Sequence, residues 1–282
     1  MLKIDHVSIA GSRLDELEAG FHAAGFTTQY GGPHSNGITH MDVIGFPDGS
    51  YIELIAAREP GARAPSWTEH IAGDGGPCAW AVQTHDIAAE SARVAALGLP
   101  VEGPYAWTRQ RPDGQTAAWQ MTFIGKPGAT LPFLIQDTTP RSVRVEPTPG
   151  IADLGLTGVA LVVIGVTALD PVIAAFRKVY GWQAPRMAED VEFGARTATF
   201  PDSPVALAAP LNDHSGLNER LARFGESPCA FLLRAPSLDA VKVKLTTPRP
   251  GFERRLAWIA PQEIGGKYLG VFAEDQLSSQ GE

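Results

Sequence analysis

The sequence is poor in several features that would assign it to a class of proteins. Only two cysteines occur in 282 residues, which argues against a disulfide framework. No run of Lys or Arg interrupts a formal net charge of −8, so nucleic acid and an anionic membrane surface are not expected partners. No stretch approaches the roughly 20 apolar residues of a membrane-spanning helix, and the N-terminus does not resemble a signal peptide. We therefore predict a cytoplasmic protein whose partner is a small molecule or another protein chain.

Common catalytic motifs are missing as well. The chain has no glycine-rich phosphate loop, no G-x-S-x-G turn, no C-x-x-C pair and no H-E-x-x-H helix. What it does have is a hydrophobic content of 44%, enough to bury one large core or two ordinary ones. Both cysteines, Cys78 and Cys229, lie in short apolar contexts, PCAW and PCAF, and we expect them to be buried thiols.

The chain also repeats itself. EHIAGDGGPCAW at 69–80 matches ERLARFGESPCAF at 219–231 with one inserted residue, and DGSYIELIA at 48–56 matches GGKYLGVFA at 265–273. Alternating apolar residues predict strands, whereas apolar spacing near 3.6 residues and glycine stops predict helices. These patterns give four units, each a strand, a helix and further strands. Such a repeat is the strongest indication of the architecture.

Four units indicate two pairs, separated by a Pro-rich stretch. We predict a first domain over 1–140, a linker over 141–150, a second domain over 151–275 and a flexible tail over 276–282. The fourth unit is the least regular, and its helix is predicted over SLDAVKVKL at 237–245.

Several short motifs follow one another within residues 2–140. They are DHVSIA, GGPHSNGITH, DGSYIELIA, RQRPDG, the tryptophan of TAAWQ, and LPFLIQD. Together with the order of elements, they are similar to the glyoxalase-like group of the vicinal oxygen chelate superfamily. The resemblance implies an α+β fold in which four βαβββ modules pair into two cup-shaped mixed-sheet domains. It also implies divalent-metal ligands on the first and last strands of a module.

Strand alternation indicates which face of the first module carries chemistry. In the strand IDHVSIA, Val7 lies on one face and His6 on the other. In the strand SYIELIA, Leu54 lies on one face and Glu53 on the other. Each strand thus has one apolar face and one face with a single ionisable group. A partly enclosed concave surface fits that pattern better than a solvated one does.

His6 and Glu53 are therefore the candidate catalytic pair and, through the resemblance, the candidate ligands of Zn, Mn, Fe or Ni. On the first strands of the other modules, His6 is matched by Ala79, Gly158 and Ala230. On the last strands, Glu53 is matched by Phe133, Ala206 and Gly270. The chain thus supplies half of a four-ligand site. Three interpretations stay open: a metal site, a metal-free acid–base or substrate-anchoring pair, and a buried histidine with a structural hydrogen bond.

Six further residues are candidates for substrate binding: His34, His40, Arg109, Arg111, Trp119 and Phe133. The two histidines could also extend the ligand set of a metal. The two arginines share strand parity before a Pro-Asp-Gly turn and could bind a carboxylate, or could simply face solvent. The aromatic residues would suit an apolar or ring-bearing ligand, although they are equally typical of a core. The remaining histidines are expected at the surface: His22, His70, His85 and His214.

The leading hypothesis is a glyoxalase-like enzyme acting on a small oxygen-rich metabolite, with a divalent metal at His6 and Glu53 or without one. Isomerase, lyase, ring-opening and thiol-addition chemistry all stay open. The alternative is a metal-free small-molecule binding or sequestering protein of the same fold. The second domain carries no polar pair on its inner faces, so we expect it to be a structural partner or the surface of a homodimer.

Overall fold

The structure is a computed structural model that describes residues 2–64, 66–125, 130–264 and 268–273. The predicted tail at 276–282 and the start of the segment at 265–273 lie outside these residues. In the described chain, two eight-stranded mixed sheets carry short helices on their faces. The predicted α+β class and the two cup-shaped domains are confirmed. No helix among the described residues is long and apolar enough to span a bilayer.

The first sheet has the strand order β2-β3-β4-β1-β5-β8-β7-β6. Its strands are β1 Ile4–Ala10, β2 Gln29–Pro33, β3 Thr39–Gly45, β4 Tyr51–Ala57, β5 Gly76–Gln83, β6 Val101–Gln110, β7 Thr116–Ile124 and β8 Phe133–Asp137. The helices of this part are α1 Leu14–Ala23, α2 Thr68–Ala72, α3 Ile87–Ala96 and α4 Arg141–Arg144. Strand β1 runs parallel to β4 and antiparallel to β5, so the two modules join at the centre of the sheet.

The second sheet repeats this order as β10-β11-β12-β9-β13-β16-β15-β14. Its strands are β9 Gly158–Gly165, β10 Arg186–Asp190, β11 Ala195–Thr199, β12 Val205–Pro210, β13 Ser227–Ala235, β14 Arg249–Gly251, β15 Arg254–Trp258 and β16 Leu269–Ala273. Its helices are α5 Leu169–Tyr180 and α6 Gly216–Phe224.

The helix predicted over 237–245 does not form. One 3-10 turn, Leu238–Ala240, follows the cap made by Ser237, and the chain then runs extended. Val241, Val243 and Leu245 each pack against the main core, which is the two-residue periodicity of an extended segment. β-Branched valines at alternate positions favour that conformation, so the predicted 3.6-residue pattern was wrong here.

One apolar core runs through both domains. It contains Val7 and Leu54 from the first sheet together with Val162 and Leu207 from the second. The predicted apolar faces of β1 and β4 are therefore confirmed. A hydrogen bond also joins the two domains: the amide of Val159 donates to Ser50 Oγ at 2.8 Å.

The repeated PCA segments meet where the two domains join. Helices α2 and α6 contact each other there, and the His70 ring stacks on Phe224 at 4.8 Å between centroids. His70 is buried, so its predicted surface position is wrong. Arg220 donates to the carbonyls of Gly75 and Pro77 across the junction. Cys78 and Cys229 are buried free thiols, as expected.

The first sheet curls until its two edge strands approach each other. A Cβ at Gly32 of β2, where φ is +100°, would lie 2.7 Å from the carbonyl oxygen of Gln110 on β6. Glycine is required at such a distance, and its φ value lies in the region that other residues rarely adopt. The Gly-Gly pair of the GGPHSNGITH motif therefore allows the sheet to close around an interior cavity.

Candidate functional site

The cavity of about 170 Å³ inside the first sheet is lined by residues from both of its modules. Of the eight predicted site residues, six line it: His6, His34, Glu53, Arg109, Trp119 and Phe133. Most of the remaining wall is apolar and aromatic, including Trp67, Trp107 and Phe123. A mostly apolar concave site with a few convergent polar groups is typical of small-molecule binding.

The other two predicted residues, His40 and Arg111, do not reach the cavity. Thr39 and Met41 face it, so strand alternation turns His40 outward, where its ring lies 6.1 Å from that of Tyr30. Arg111 lies past the end of β6. Its Nη1 donates to the carbonyl of Val143 at 3.1 Å, and its Nη2 pairs with Asp113.

His6 is held by a buried carboxylate and by two aromatic rings. Its Nδ1 lies 2.7 Å from Asp5 Oδ1, and its ring stacks on Tyr51 at 4.6 Å with the Phe133 ring 5.3 Å away. An ionised carboxylate can only accept, so Nδ1 must carry the proton of this hydrogen bond. Nε2, which bonds to none of the described residues, is then the nitrogen with the free lone pair in neutral His6.

Asp5 is ionised because the segment after β8 surrounds it with arginines. Arg144 donates to both carboxylate oxygens, at 2.8 and 2.7 Å, and Arg141 forms a further ion pair with Asp5. Burial alone would raise the pKa of Asp5, but the Arg144 charge and the His6 hydrogen bond hold it well below its usual range. Arg144 also donates to Tyr51 Oη at 3.0 Å, so this network fixes two neighbours of the His6 ring, Asp5 and Tyr51.

Glu53 also lines the cavity, on the strand that pairs with β1. Its Oε2 accepts a hydrogen bond from Ser8 Oγ at 2.5 Å, and its Oε1 accepts one from His34 Nε2 at 3.0 Å. Burial opposes ionisation of Glu53, but the His34 hydrogen bond and the charges of His34 and His6 lower its pKa to about 2. His34 Nδ1 lies 2.7 Å from Thr39 Oγ1, which orients the ring toward Glu53.

Arg109 differs from Arg144 in having no acidic partner. It is 4% exposed, and its Nη2 donates to the carbonyl of Arg144 at 2.7 Å, while its Nη1 lies 3.4 Å from the sulfur of Met41. No carboxylate in the described ranges forms an ion pair with it. Burial consequently lowers the pKa of Arg109, although the guanidinium stays charged at neutral pH.

The donor set does not fit a four-ligand metal site. Ser8 pairs with Glu53 across β1 and β4, and Ala81 pairs with Phe133 across β5 and β8, so Phe133 occupies the Glu53 position of the second module. Both Glu53 oxygens already accept hydrogen bonds from protein groups. Among the residues that the structure describes, no three His, Cys, Asp or Glu side chains form a group that could hold a metal ion.

Comparison with known proteins assigns the family. A family model for a glyoxalase-like domain matches residues 4–180. The chain belongs to the glyoxalase-like domain family. The resemblance to the vicinal oxygen chelate superfamily is thereby confirmed for this glyoxalase-like protein. No curated protein matches the chain.

One solved structure shares this fold over almost the whole chain. The crystal structure of a hypothetical protein from Staphylococcus aureus aligns with 97% of this chain and 100% of its own, at 16% identity and a TM-score of 0.62, which shows a shared fold. Methylmalonyl-CoA epimerase from Mycobacterium tuberculosis is 26% identical over 42% of this chain and 89% of its own, with a TM-score of 0.38. A Streptomyces coelicolor methylmalonyl-CoA epimerase is 22% identical over 42% of this chain and 97% of its own, with a TM-score of 0.36.

Sequence reasoning missed Asp5 and the arginines that neutralise it. Asp5 shares strand parity with Val7 and Ile9, so it is an acid on an otherwise apolar face. Such a residue needs a buried cation. That signal was present in the sequence. Its partner was harder to find, because Arg144 is 139 residues away and lies within the stretch predicted to be a linker.

Proposed function

We propose that this glyoxalase-like protein is an enzyme that moves a proton on a small oxygen-rich metabolite, with His6 as the general base. The observation that carries the proposal is the Asp5–His6 pair: one ring nitrogen is tied to an ionised buried carboxylate, and the other is free at a largely apolar cavity. A histidine oriented by a carboxylate is an arrangement suited to proton transfer.

In the proposed reaction, His6 Nε2 takes a proton from a carbon next to a carbonyl group. The electron pair of the broken C–H bond moves onto the carbonyl oxygen and leaves an enolate. Asp5 stabilises the imidazolium that forms, and the ionised Glu53 adds a second negative charge near it. Return of the proton to the other face of the same carbon completes an epimerisation. If that carbon also bears a hydroxyl group, the intermediate is an enediolate: the hydroxyl proton moves to the former carbonyl oxygen, the carbon-bound proton returns to the former carbonyl carbon, and an isomerisation is complete.

Glu53 has a different role from His6. A carboxyl group with a pKa of about 2 holds a proton poorly at neutral pH, so Glu53 is unsuited to be the base. Its oxygens are instead acceptors for a substrate hydroxyl, while Ser8 and His34 fix their position. Because the donor set does not fit a metal, no step of this reaction passes through one.

The test follows exchange of carbon-bound hydrogen in deuterium oxide by NMR. Small metabolites with a C–H bond next to a carbonyl, such as 2-oxobutyrate and hydroxyacetone, are incubated with the wild-type protein and with His6→Gln. We expect exchange with the wild type and a loss of about 10²–10⁴-fold in His6→Gln, the usual contribution of a general base.

His40→Gln is the matched control, because His40 lies on the same sheet but outside the cavity. It should exchange at the wild-type rate. Equal rates in His6→Gln and the wild type would refute the assignment of the base. Binding of these compounds without exchange would instead favour the sequestering protein. A homodimer and a cytoplasmic location stay predictions, as do the domain boundaries.

A further inference from the structure

The cavity wall contains hydrogen-bond donors that have no acceptor. Arg109 Nε and the indole nitrogens of Trp67, Trp107 and Trp119 are buried and find no partner within the described residues. All four side chains line the cavity. No oxygen acceptor of the described lining residues is buried and unpaired in the same way. An unsatisfied buried donor is unfavourable, so a wall of this kind is complementary to a ligand rich in acceptors.

Strand register brings three of these donors together. Trp107 of β6 lies directly opposite Trp119 of β7, and Arg109 lies two residues further along β6 on the same face as Trp107. These three side chains therefore form one contiguous patch, which we call the donor patch. Trp67 approaches the cavity from a different element, the residue before helix α2.

The positive charge on Arg109 indicates which class of hydrogen-bond acceptor a ligand of the cavity should carry. Arg144, which is buried nearby, is neutralised by Asp5 and Asp137. Arg220 also lacks a carboxylate among the described residues, and its Nε is unpaired too, but its Nη1 and Nη2 donate to three carbonyls, those of Gly75, Pro77 and Pro228. Arg109 has one carbonyl and one thioether sulfur, and its Nε is left over. A buried guanidinium group without a carboxylate partner is stabilised by an anion. Its planar arrangement of N–H donors matches the two oxygens of a carboxylate.

We propose that the cavity binds a small carboxylate that bears a second oxygen acceptor, with the carboxylate on Arg109 and the second oxygen on the indole N–H groups of the donor patch. The proposal deepens the proposed function and rests on it, since it names the substrate class of the same cavity. The apolar wall around Phe133 and Phe123 takes the rest of the molecule.

The test compares carboxylates with their uncharged amides. Lactate and mandelate are titrated against lactamide and mandelamide, with tryptophan fluorescence and calorimetry as readouts, because three tryptophans line the site. In the wild type, each carboxylate should bind at least about tenfold more tightly than its amide, since charge-assisted hydrogen bonds are the stronger ones. Arg109→Met should remove that preference, whereas amide binding should hardly change.

Arg111→Met is the matched control, because Arg111 carries the same charge two residues away but lies outside the cavity. It should keep the carboxylate preference within about twofold of the wild type. Retention of the preference in Arg109→Met, or an equal loss in Arg111→Met, would overturn the proposal. If Arg109→Met does not fold, Arg109→Lys replaces it: the charge remains but the fork is lost, so an intermediate preference is expected.

His6→Gln separates this proposal from the proposed function. It should lose hydrogen exchange yet bind carboxylates like the wild type. Arg109-dependent binding with no exchange in the wild type would refute only the enzyme. Exchange in the wild type without any carboxylate preference would refute only the substrate class.

Discussion

The two sheets have the same strand order but enclose different interiors. In the first sheet, Glu53, which pairs with Ser8, lines a cavity with ionised groups in its wall. In the second, the matching pair is Val163 and Ala206, and both belong to an apolar cluster. Large side chains of β15 and β16, such as Trp258, contribute to that cluster. The same backbone thus supports a binding site in one half and a packed core in the other.

The comparison also corrects one residue match between the modules. Because Val163 pairs with Ala206, the His6 position of the third module is two residues before Val163. That residue is Leu161, which is buried in the apolar cluster, and not the predicted Gly158. The expectation that the second domain offers no polar pair is unaffected. Its interior is filled by side chains rather than left open by glycine and alanine.

In the first interior, a buried acid is neutralised by residues from one short segment of the chain. Asp5 is fully buried at the start of β1 and is neutralised by Arg141 and Arg144 of α4. The carbonyl of Arg144 also accepts a hydrogen bond from Arg109. One short segment after the last strand therefore positions both the proposed base and the proposed anion site. A buried charge is costly unless it is paired or hydrogen-bonded in this way.

Asp5→Asn is expected to have the largest effect on stability. It removes the carboxylate that Arg141, Arg144 and His6 share in the interior, and Arg144, which is 2% exposed, keeps only Asp137. Breaking one side of a buried ion pair typically costs about 3–5 kcal/mol. Urea unfolding at pH 7 measures this loss. The change in the denaturation midpoint, multiplied by the slope of the unfolding free energy against urea concentration, gives the change in the free energy of unfolding.

Asp190→Asn is the control in the second sheet. Asp190 pairs with Arg249 at 2.8 Å, but Arg249 has a second partner in Glu192 at 3.0 Å. Because Asp190 pairs with a single described cation, whereas Asp5 pairs with two arginines and with His6, we expect a loss of only about 1 kcal/mol. Equal losses in the two variants would show that the first interior is no more dependent on its ion pair than the second.

Acid should affect the two variants differently. The pKa of Asp5 in the folded protein lies below its ordinary value, so its stabilising contribution is complete above that ordinary value. The contribution is lost as pH falls from there through the folded pKa. Wild-type stability should therefore decrease on acidification in this range, and Asp5→Asn should show a flatter profile than Asp190→Asn.

Local pattern was sufficient for the fold and for part of the site. Alternation in β1 and β4 placed His6 and Glu53 on one face, because a strand's side chains point to opposite sides whatever the rest of the chain does. The same rule failed to separate Arg109 from Arg111, which share parity but not a strand: β6 ends at Gln110. Where a strand ends depends on its neighbour, so this information lies outside the local sequence.

Contacts between residues far apart in the sequence could not be predicted from any local sequence pattern. Alternation suggests that Asp5 needs a cation but cannot select Arg144 over other arginines. Residues whose role depends on a distant partner are therefore the ones that the structure had to supply.

Leu256→Ala and Ile135→Ala compare the packing of the two interiors. Leu256 is fully buried within the apolar cluster of the second sheet. Its truncation should cost about 3–4 kcal/mol, as expected for an aliphatic side chain in a packed core. Ile135 borders the cavity of the first sheet, so it has fewer packed neighbours on that side, and we expect about 2 kcal/mol. Urea unfolding of both variants measures the difference, and a larger loss in Ile135→Ala would contradict the description of the first interior as open.

A small effect on stability is expected for Gly31→Ala at the closure of the first sheet. A Cβ there would lie 2.9 Å from Met41 Cε and 3.0 Å from Arg109 Nη1, both ends of flexible side chains. The side chains of Met41 and Arg109 must shift to accommodate the new Cβ, which should reduce the free energy of unfolding by about 1 kcal/mol. Because this shift displaces the Arg109 guanidinium, carboxylate affinity should fall severalfold. Gly216→Ala in the second domain is the control, because nothing lies within 4 Å of its Cβ. If Gly31→Ala binds carboxylates as tightly as Gly216→Ala does, then the glycine serves sheet closure alone, and the position of Arg109 does not depend on it.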